Sequence, residues 1–213
     1  MSSDLIPAAI GILGHGAMGR ALAGVFHACL ADRGVVTTVY TSKDPEALDV
    51  PYRVKQGLPG DPGAGPTPDW VFLAVPDDAL GTAARALSVR LGDAIAGTAF
   101  IHMSGALPAS VLGVLAAGGG VTASMHPLQS FPSEPLADLP PAERLRGVPI
   151  SLQGDPGVCD RLGRLLWDPI GAEPFRVSET QKEALHIAAV LASNAVVPLL
   201  AAAGDVLRMA GLQ

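Results

Sequence analysis

The chain has 213 residues, 49% of them hydrophobic and only 16% charged, which is enough apolar material for a sizeable core and excludes a disordered chain. A net charge of -6 excludes the broad basic surface that nucleic-acid binding requires. Aromatics are scarce, at 4%, as expected of an α/β protein whose helices and strands pack closely through small side chains.

The start of the chain has no signal-peptide pattern. Asp4 is acidic, and the apolar run that follows leads into glycines, not a cleavage site. A cytoplasmic protein is expected. Cys29 and Cys159 are far apart and in no metal-ligand spacing, so both are expected as reduced thiols, with no metal site.

Residues 8–13 are a short apolar run after Pro7 and predict a buried parallel strand. A helix over 18–30 and a β-branched strand over 35–40 complete a strand–helix–strand unit. Between the first strand and the helix stands Gly14-x-Gly16-x-x-Gly19. In that context the pattern predicts a dinucleotide cradle: Gly14 for the turn, Gly16 for approach of the pyrophosphate, Gly19 for close packing. His15, Ala17 and Met18 complete the loop, with His15 assigned a backbone role. The helix N-terminus adds free N–H groups and partial positive charge.

The second strand ends Tyr40-Thr41-Ser42-Lys43, with no carboxylate until Asp44. NAD-binding chains place an acid there for the ribose 2′-hydroxyl. Thr41, Ser42 and Lys43 suit a 2′-phosphate instead, so NADP(H) is the expected cofactor, with Arg20 a further aid.

Further on, 52–56 predicts a short strand, 57–69 a Gly/Pro-rich surface loop, 70–75 a buried strand and 78–91 a helix. Ala74, Val75 and Pro76 fall at a strand's carboxyl end, where ligands of open α/β sheets bind. Strands are expected at 98–102, 121–125, 148–152 and 173–177, and helices at 107–117 and 156–167. Residues 132–149 read as a proline-rich loop. This alternation predicts a doubly wound, mostly parallel Rossmann sheet over residues 1–177.

From Ser178, a cap residue, one long helix is expected to Met209, with a kink at Pro198. It begins a helical dimerisation domain over 178–213. Its large aliphatics spread around the axis, and each left in water forgoes about 2 kcal/mol. A covered helix is therefore expected, in a homodimer and not in a membrane. Lys182, His186 and Ser193 fall on one helix face, with Asn194 beside it.

Five segments carry a family resemblance. The glycine run ending Met18-Gly19, with Val75-Pro76-Asp77, resembles the 6-phosphogluconate and β-hydroxyacid dehydrogenase superfamily, which includes prephenate dehydrogenases and pyrroline-5-carboxylate reductases. The segments His102-x-Ser104-Gly105, His126-Pro127-Leu128-Gln129-Ser130-Phe131 and Lys182-x-x-x-His186 through Ser193-Asn194 resemble the signatures of a bacterial Rossmann-like family with a helical C-terminal domain of unassigned function. Leu185 departs from that family's tyrosine. The resemblance implies a substrate bound between the Rossmann domain and the long helix. His126 or His186 would then be the general acid/base, Ser104, Ser193 and Asn194 hydrogen-bond donors, and Lys182 either a partner for a substrate carboxylate or a charge that lowers a histidine pKa.

These readings converge on an NADP(H)-dependent oxidoreductase for a small carboxylated keto, hydroxy or imine metabolite. A non-catalytic NADP(H)-binding sensor and a protein for another nucleotide stay open as alternatives.

Overall fold

The computed structural model describes residues 6–132 and 139–212. The expectations placed on Asp4 and on part of the 132–149 loop lie outside those residues.

Eight strands form one sheet in the order β3-β2-β1-β4-β5-β6-β7-β8. They are β1 (Ala9–Leu13), β2 (Val36–Thr41), β3 (Arg53–Gln56), β4 (Trp70–Leu73), β5 (Ala99–His102), β6 (Val121–Pro127), β7 (Pro149–Gly154) and β8 (Glu173–Arg176). Every neighbouring pair is parallel except β6 and β7. The chain reverses once, across the segment between β6 and β7, and then continues in the new direction.

Helices cover both faces. Helix α1 (Ala17–Leu30) and helix α4 (Pro156–Trp167) lie on one side, where Leu22, Val25, Phe26, Leu162 and Leu166 pack with Ile10, Ile12, Phe72 and Ile101. Helix α2 (Leu80–Leu91) and the short α3 (Gly113–Ala117) lie on the other, where Leu80, Leu87 and Leu115 meet Val71, Leu73 and Phe100. The central strands are buried on both faces and therefore read as unbroken apolar runs. Residues 107–117, expected as one helix, are in part a 3₁₀ turn at Ala109–Leu112. Pro108 and Gly113 bracket that turn.

Helix α4 starts at Asp155, whose Oδ1 accepts from the Val158 N–H at 2.9 Å, with Pro156 in the first turn. The last helix is capped twice. Ser178 Oγ accepts from the Gln181 N–H at 3.2 Å, and Gln181 Oε1 accepts from the Ser178 N–H at 2.8 Å. The long helix is two pieces, α5 (Glu179–Ser193) and α6 (Val196–Met209). The break falls at Asn194–Ala195 and not at Pro198 itself. Pro198 lacks an N–H for the Asn194 carbonyl, and its ring crowds that carbonyl four residues back. The strain appears as a widened turn, in which the Ala195 N–H reaches the Val190 carbonyl at 3.3 Å.

Candidate functional site

The glycine turn sits at the carboxyl ends of β1 and β4. Gly14 has φ +109°, and a Cβ there would meet the Ala74 carbonyl oxygen at 2.5 Å. A Cβ on Gly19 would collide with the Gly14 carbonyl oxygen. A Cβ on Gly16 would meet nothing within 4 Å. The first two glycines are thus required by the protein's own packing. The third faces open space, as expected if a ligand's phosphates come up against that backbone. Gly16 also caps α1 without any side-chain hydrogen bond, so the first N–H groups of the helix stay available to an anion.

A cleft of about 750 Å³ runs over this turn, within the size range of a cofactor site. Gly14, His15, Gly16, Ala17, Thr41, Ser42, Lys43, Ala74, Val75 and Pro76 all line it. Met18 and Gly19 belong to the α1 turn beneath. The cleft also takes in Arg20, Tyr40, Gly57 and Leu58. Arg20 donates from Nη1 to the His15 carbonyl at 3.0 Å, wrapping the turn. Gly57 and Leu58 arrive because β3 pairs with β2, a contact that sequence spacing does not show.

Asp44, the nearest carboxylate after β2, is turned into its own 3₁₀ turn, where its Oδ1 accepts from the Glu46 N–H at 3.0 Å. Cations gather at the cleft instead. Burial lowers the His15 pKa, and Arg20 and Lys43 lower it further. The ring nevertheless does more than a backbone role implies, since Nε2 lies 3.0 Å from the Tyr52 hydroxyl. Residues able to hold a phosphorylated dinucleotide are therefore present and disposed for it.

Beyond Pro76 the chain passes directly into a second cluster. Asp77 Oδ2 accepts from Ser104 Oγ at 2.8 Å, and Ser104 Oγ in turn accepts from the N–H groups of Ala106 and Leu107 at 3.2 and 3.0 Å. Lys182 on α5 is only 2% exposed. Its Nζ donates to the Ser104 carbonyl and to Ser124 Oγ, both at 2.7 Å. Burial lowers its pKa to about 8, with Asp77 opposing.

Two histidines have their tautomers set by the backbone. His102 Nδ1 accepts from the Ser104 N–H at 3.2 Å, and Nε2 donates to the Pro108 carbonyl at 3.1 Å. That pattern needs a neutral ring, in keeping with a pKa lowered to about 4 by burial and then by Lys182. His126 has Nδ1 3.3 Å from the Met103 carbonyl, so Nδ1 carries the proton and Nε2 the lone pair. Burial lowers its pKa, and Lys182 and His186 add to the effect. The rings of His126 and His186 stand edge to face, 6.5 Å apart. Gly105 allows this approach, since a Cβ there would lie 2.7 Å from His126 Nε2 and 2.8 Å from His186 Nδ1.

Of the residues singled out from the sequence, Ser104, His126, Lys182 and His186 come together. Asn194 and Ser193 do not join them. Both are exposed at the end of α5, where Ser193 Oγ donates to the Ala189 carbonyl at 2.6 Å. One expected role needs correction. Ser104 has one hydroxyl proton, and it goes to Asp77. The Lys182 ammonium places two of its three donors on protein acceptors and acts as a nearby charge on the histidines. Asp77, Ser124 and Gly105 are additions, of which Asp77 and Gly105 stood in motifs that could have flagged them.

A larger cavity of about 1060 Å³ lies near the amino ends of β1 and β2, between α4, β8 and residues 6–8. None of the expected site residues lines it. Cys29 and Cys159 are both free thiols.

Residues 148–213 match the family described as a domain of unknown function (DUF2520). The match begins at the threshold of β7. None of the curated protein sequences matches the chain. Among solved structures, protein TM1727 from Thermotoga maritima is 24% identical, with a TM-score of 0.64 over 96% of this chain and 71% of that one. The Streptomyces aurantiacus imine reductase is 18% identical, with a TM-score of 0.65 over 95% and 66%. A Myxococcus stipitatus imine reductase variant in complex with NAD+ is 16% identical, with a TM-score of 0.69 over 98% and 68%. The chain therefore has the Rossmann-like fold of these structures, with the match to DUF2520 confined to residues 148–213.

Proposed function

We propose that this chain is an NADP(H)-dependent oxidoreductase acting on a small keto, hydroxy or imine compound. One observation carries the reading: Pro76 lines the dinucleotide cleft while Asp77, next in the chain, accepts from Ser104 Oγ, so consecutive residues belong to the cleft and to the histidine cluster. The similar fold of two imine reductases adds support.

When bound, the nicotinamide supplies or accepts the hydride. The chain's own residues do the rest. Gly14, Gly16 and the first turn of α1 receive the pyrophosphate. Thr41, Ser42, Lys43 and Arg20 hold the 2′-phosphate. His126 Nε2, which makes no hydrogen bond among the described residues, takes up or returns a proton beside the reacting centre, with His186 across Gly105. Lys182 positions the loops of Ser104 and Ser124 and adds to the effect of burial in lowering the His126 pKa.

Calorimetric titration with NADPH, NADP, NADH and NAD tests this reading. The phosphorylated pair is expected to bind more tightly. Lys43→Ala should weaken NADPH by about tenfold, the worth of one charge-assisted hydrogen bond, and leave NADH within about twofold. Equal binding of all four would remove the preference for NADP. Binding of none would remove the oxidoreductase reading with it.

We further infer a division at residue 177/178 and a homodimer formed through α5 and α6, in the cytoplasm. The stretch Glu179–Met209 holds an 18-residue window of mean hydropathy 1.9, and that window is unburied. By length and composition it could cross a membrane. Two things favour a second copy of the chain as its cover. Lys182 ties its first turns to the sheet, and Ser193, Asn194 and Pro198 interrupt the apolar stretch. Leu199 and Leu200 are 69% and 68% exposed. Light scattering should give twice the 21.6 kDa chain mass, and Leu199→Glu with Leu200→Glu should halve it. A monomer at micromolar concentration would contradict the dimer.

A further inference from the structure

Resting on that reading of the site, we propose that its substrate carries positive charge on the reacting nitrogen, as an iminium ion in the reducing direction and a protonated amine in the oxidising one. The charges of the cluster point this way. The groups whose charge acts on His102 and His126 are Lys182, Asp77 and the neighbouring histidines. Lys182 is buried, and its ammonium donates to the Ser104 carbonyl and Ser124 Oγ. Asp77 is exposed. Its Oδ2 accepts one hydrogen bond, from Ser104, which leaves capacity on a carboxylate for a second donor. Beside the histidines the exposed charge is thus negative, while the Lys182 ammonium is buried. A carboxylate substrate would meet repulsion there, and a cation would be attracted.

The proton accounting agrees. Reduction of a ketone needs a proton at oxygen as hydride adds to carbon. His102 is committed on both ring nitrogens, and His126 presents a lone pair at Nε2. As hydrogen-bonded here, neither of these two rings offers a proton, which leaves His186 as the one ring of the cluster that could. Iminium reduction needs none: hydride adds to the C=N⁺ carbon, the π pair moves to nitrogen, and a neutral amine results. In the oxidising direction, His126 Nε2 takes the proton an ammonium must lose before hydride can leave carbon. The depressed pKa of His126 keeps that nitrogen free at neutral pH.

The test uses the full chain saturated with NADP and follows the imidazole resonances of His126 and His186 by NMR. Pyrrolidinium and cyclobutanecarboxylate are the probes, similar in size and opposite in charge. Pyrrolidinium is expected to shift both histidines, and cyclobutanecarboxylate neither. Asp77→Asn should weaken pyrrolidinium by about tenfold, with bound NADPH showing that the variant folds, and Asp78→Asn should have no such effect. A response favouring the carboxylate, a response to neither probe, or an Asp77→Asn protein that binds pyrrolidinium as before would overturn the proposal. Failure to bind NADPH in the first place is a separate result, and it would strike the cofactor reading.

Discussion

Lys182→Met is expected to destabilise the protein by about 3 kcal/mol, because the substitution leaves the Ser104 carbonyl and Ser124 Oγ without their donor in a buried place. An unsatisfied buried group costs about 1–3 kcal/mol. Two such groups exceed the gain from no longer burying a cation. For a chain of this length the melting temperature should fall by roughly 6–12 °C. The same variant separates positioning from packing. Lys182 lowers the pKa of His126, so His126 should titrate at higher pH in Lys182→Met and be restored toward its original value in Lys182→Arg. An unchanged His126 titration, or a melting temperature within a degree of the original, would mean that the ammonium does not hold these loops.

Gly19→Ala is expected to abolish dinucleotide binding, with a loss of about a hundredfold or more in calorimetric titration. The new Cβ would collide with the Gly14 carbonyl oxygen. Backbone, unlike the end of a flexible side chain, cannot yield without moving the turn that receives the phosphates. Gly16→Ala is the informative contrast. Its Cβ enters open space, so the free protein should keep its melting temperature while NADPH binding falls, because the methyl occupies the ligand's place. A Gly16→Ala protein with undiminished affinity would show that the phosphates do not approach that residue.

Much of the sheet was legible in the sequence because its central strands are buried on both faces and punctuated by glycine or proline. The runs 8–13 and 70–75 locate β1 and β4 to within two residues, and Asp155-Pro156 places the start of α4. The cofactor cleft was legible for the same reason, since its residues stand next to strand ends that can be read. The histidine cluster was only half legible. The contact from Lys182 to Ser104 spans 78 positions in the chain, and nothing local reports it. Helical arithmetic put Ser193 on the face of Lys182 and His186. An angle is not a distance, however, and seven residues of rise carry Ser193 about 10 Å beyond His186. The reversal at β7 was invisible too. An antiparallel strand buried like its neighbours has the same apolar pattern as a parallel one.

The bridge made by Lys182 also has a consequence for the order in which the molecule becomes competent. The residues of the dinucleotide cleft are all present once the chain has been made as far as Pro76, whereas the histidine cluster waits for α5, more than a hundred residues later. During synthesis a cradle able to hold an electron carrier would precede the groups that let it act. Over evolutionary time the same separation means that exchanging the segment after β6 can alter the histidine cluster without disturbing the cleft.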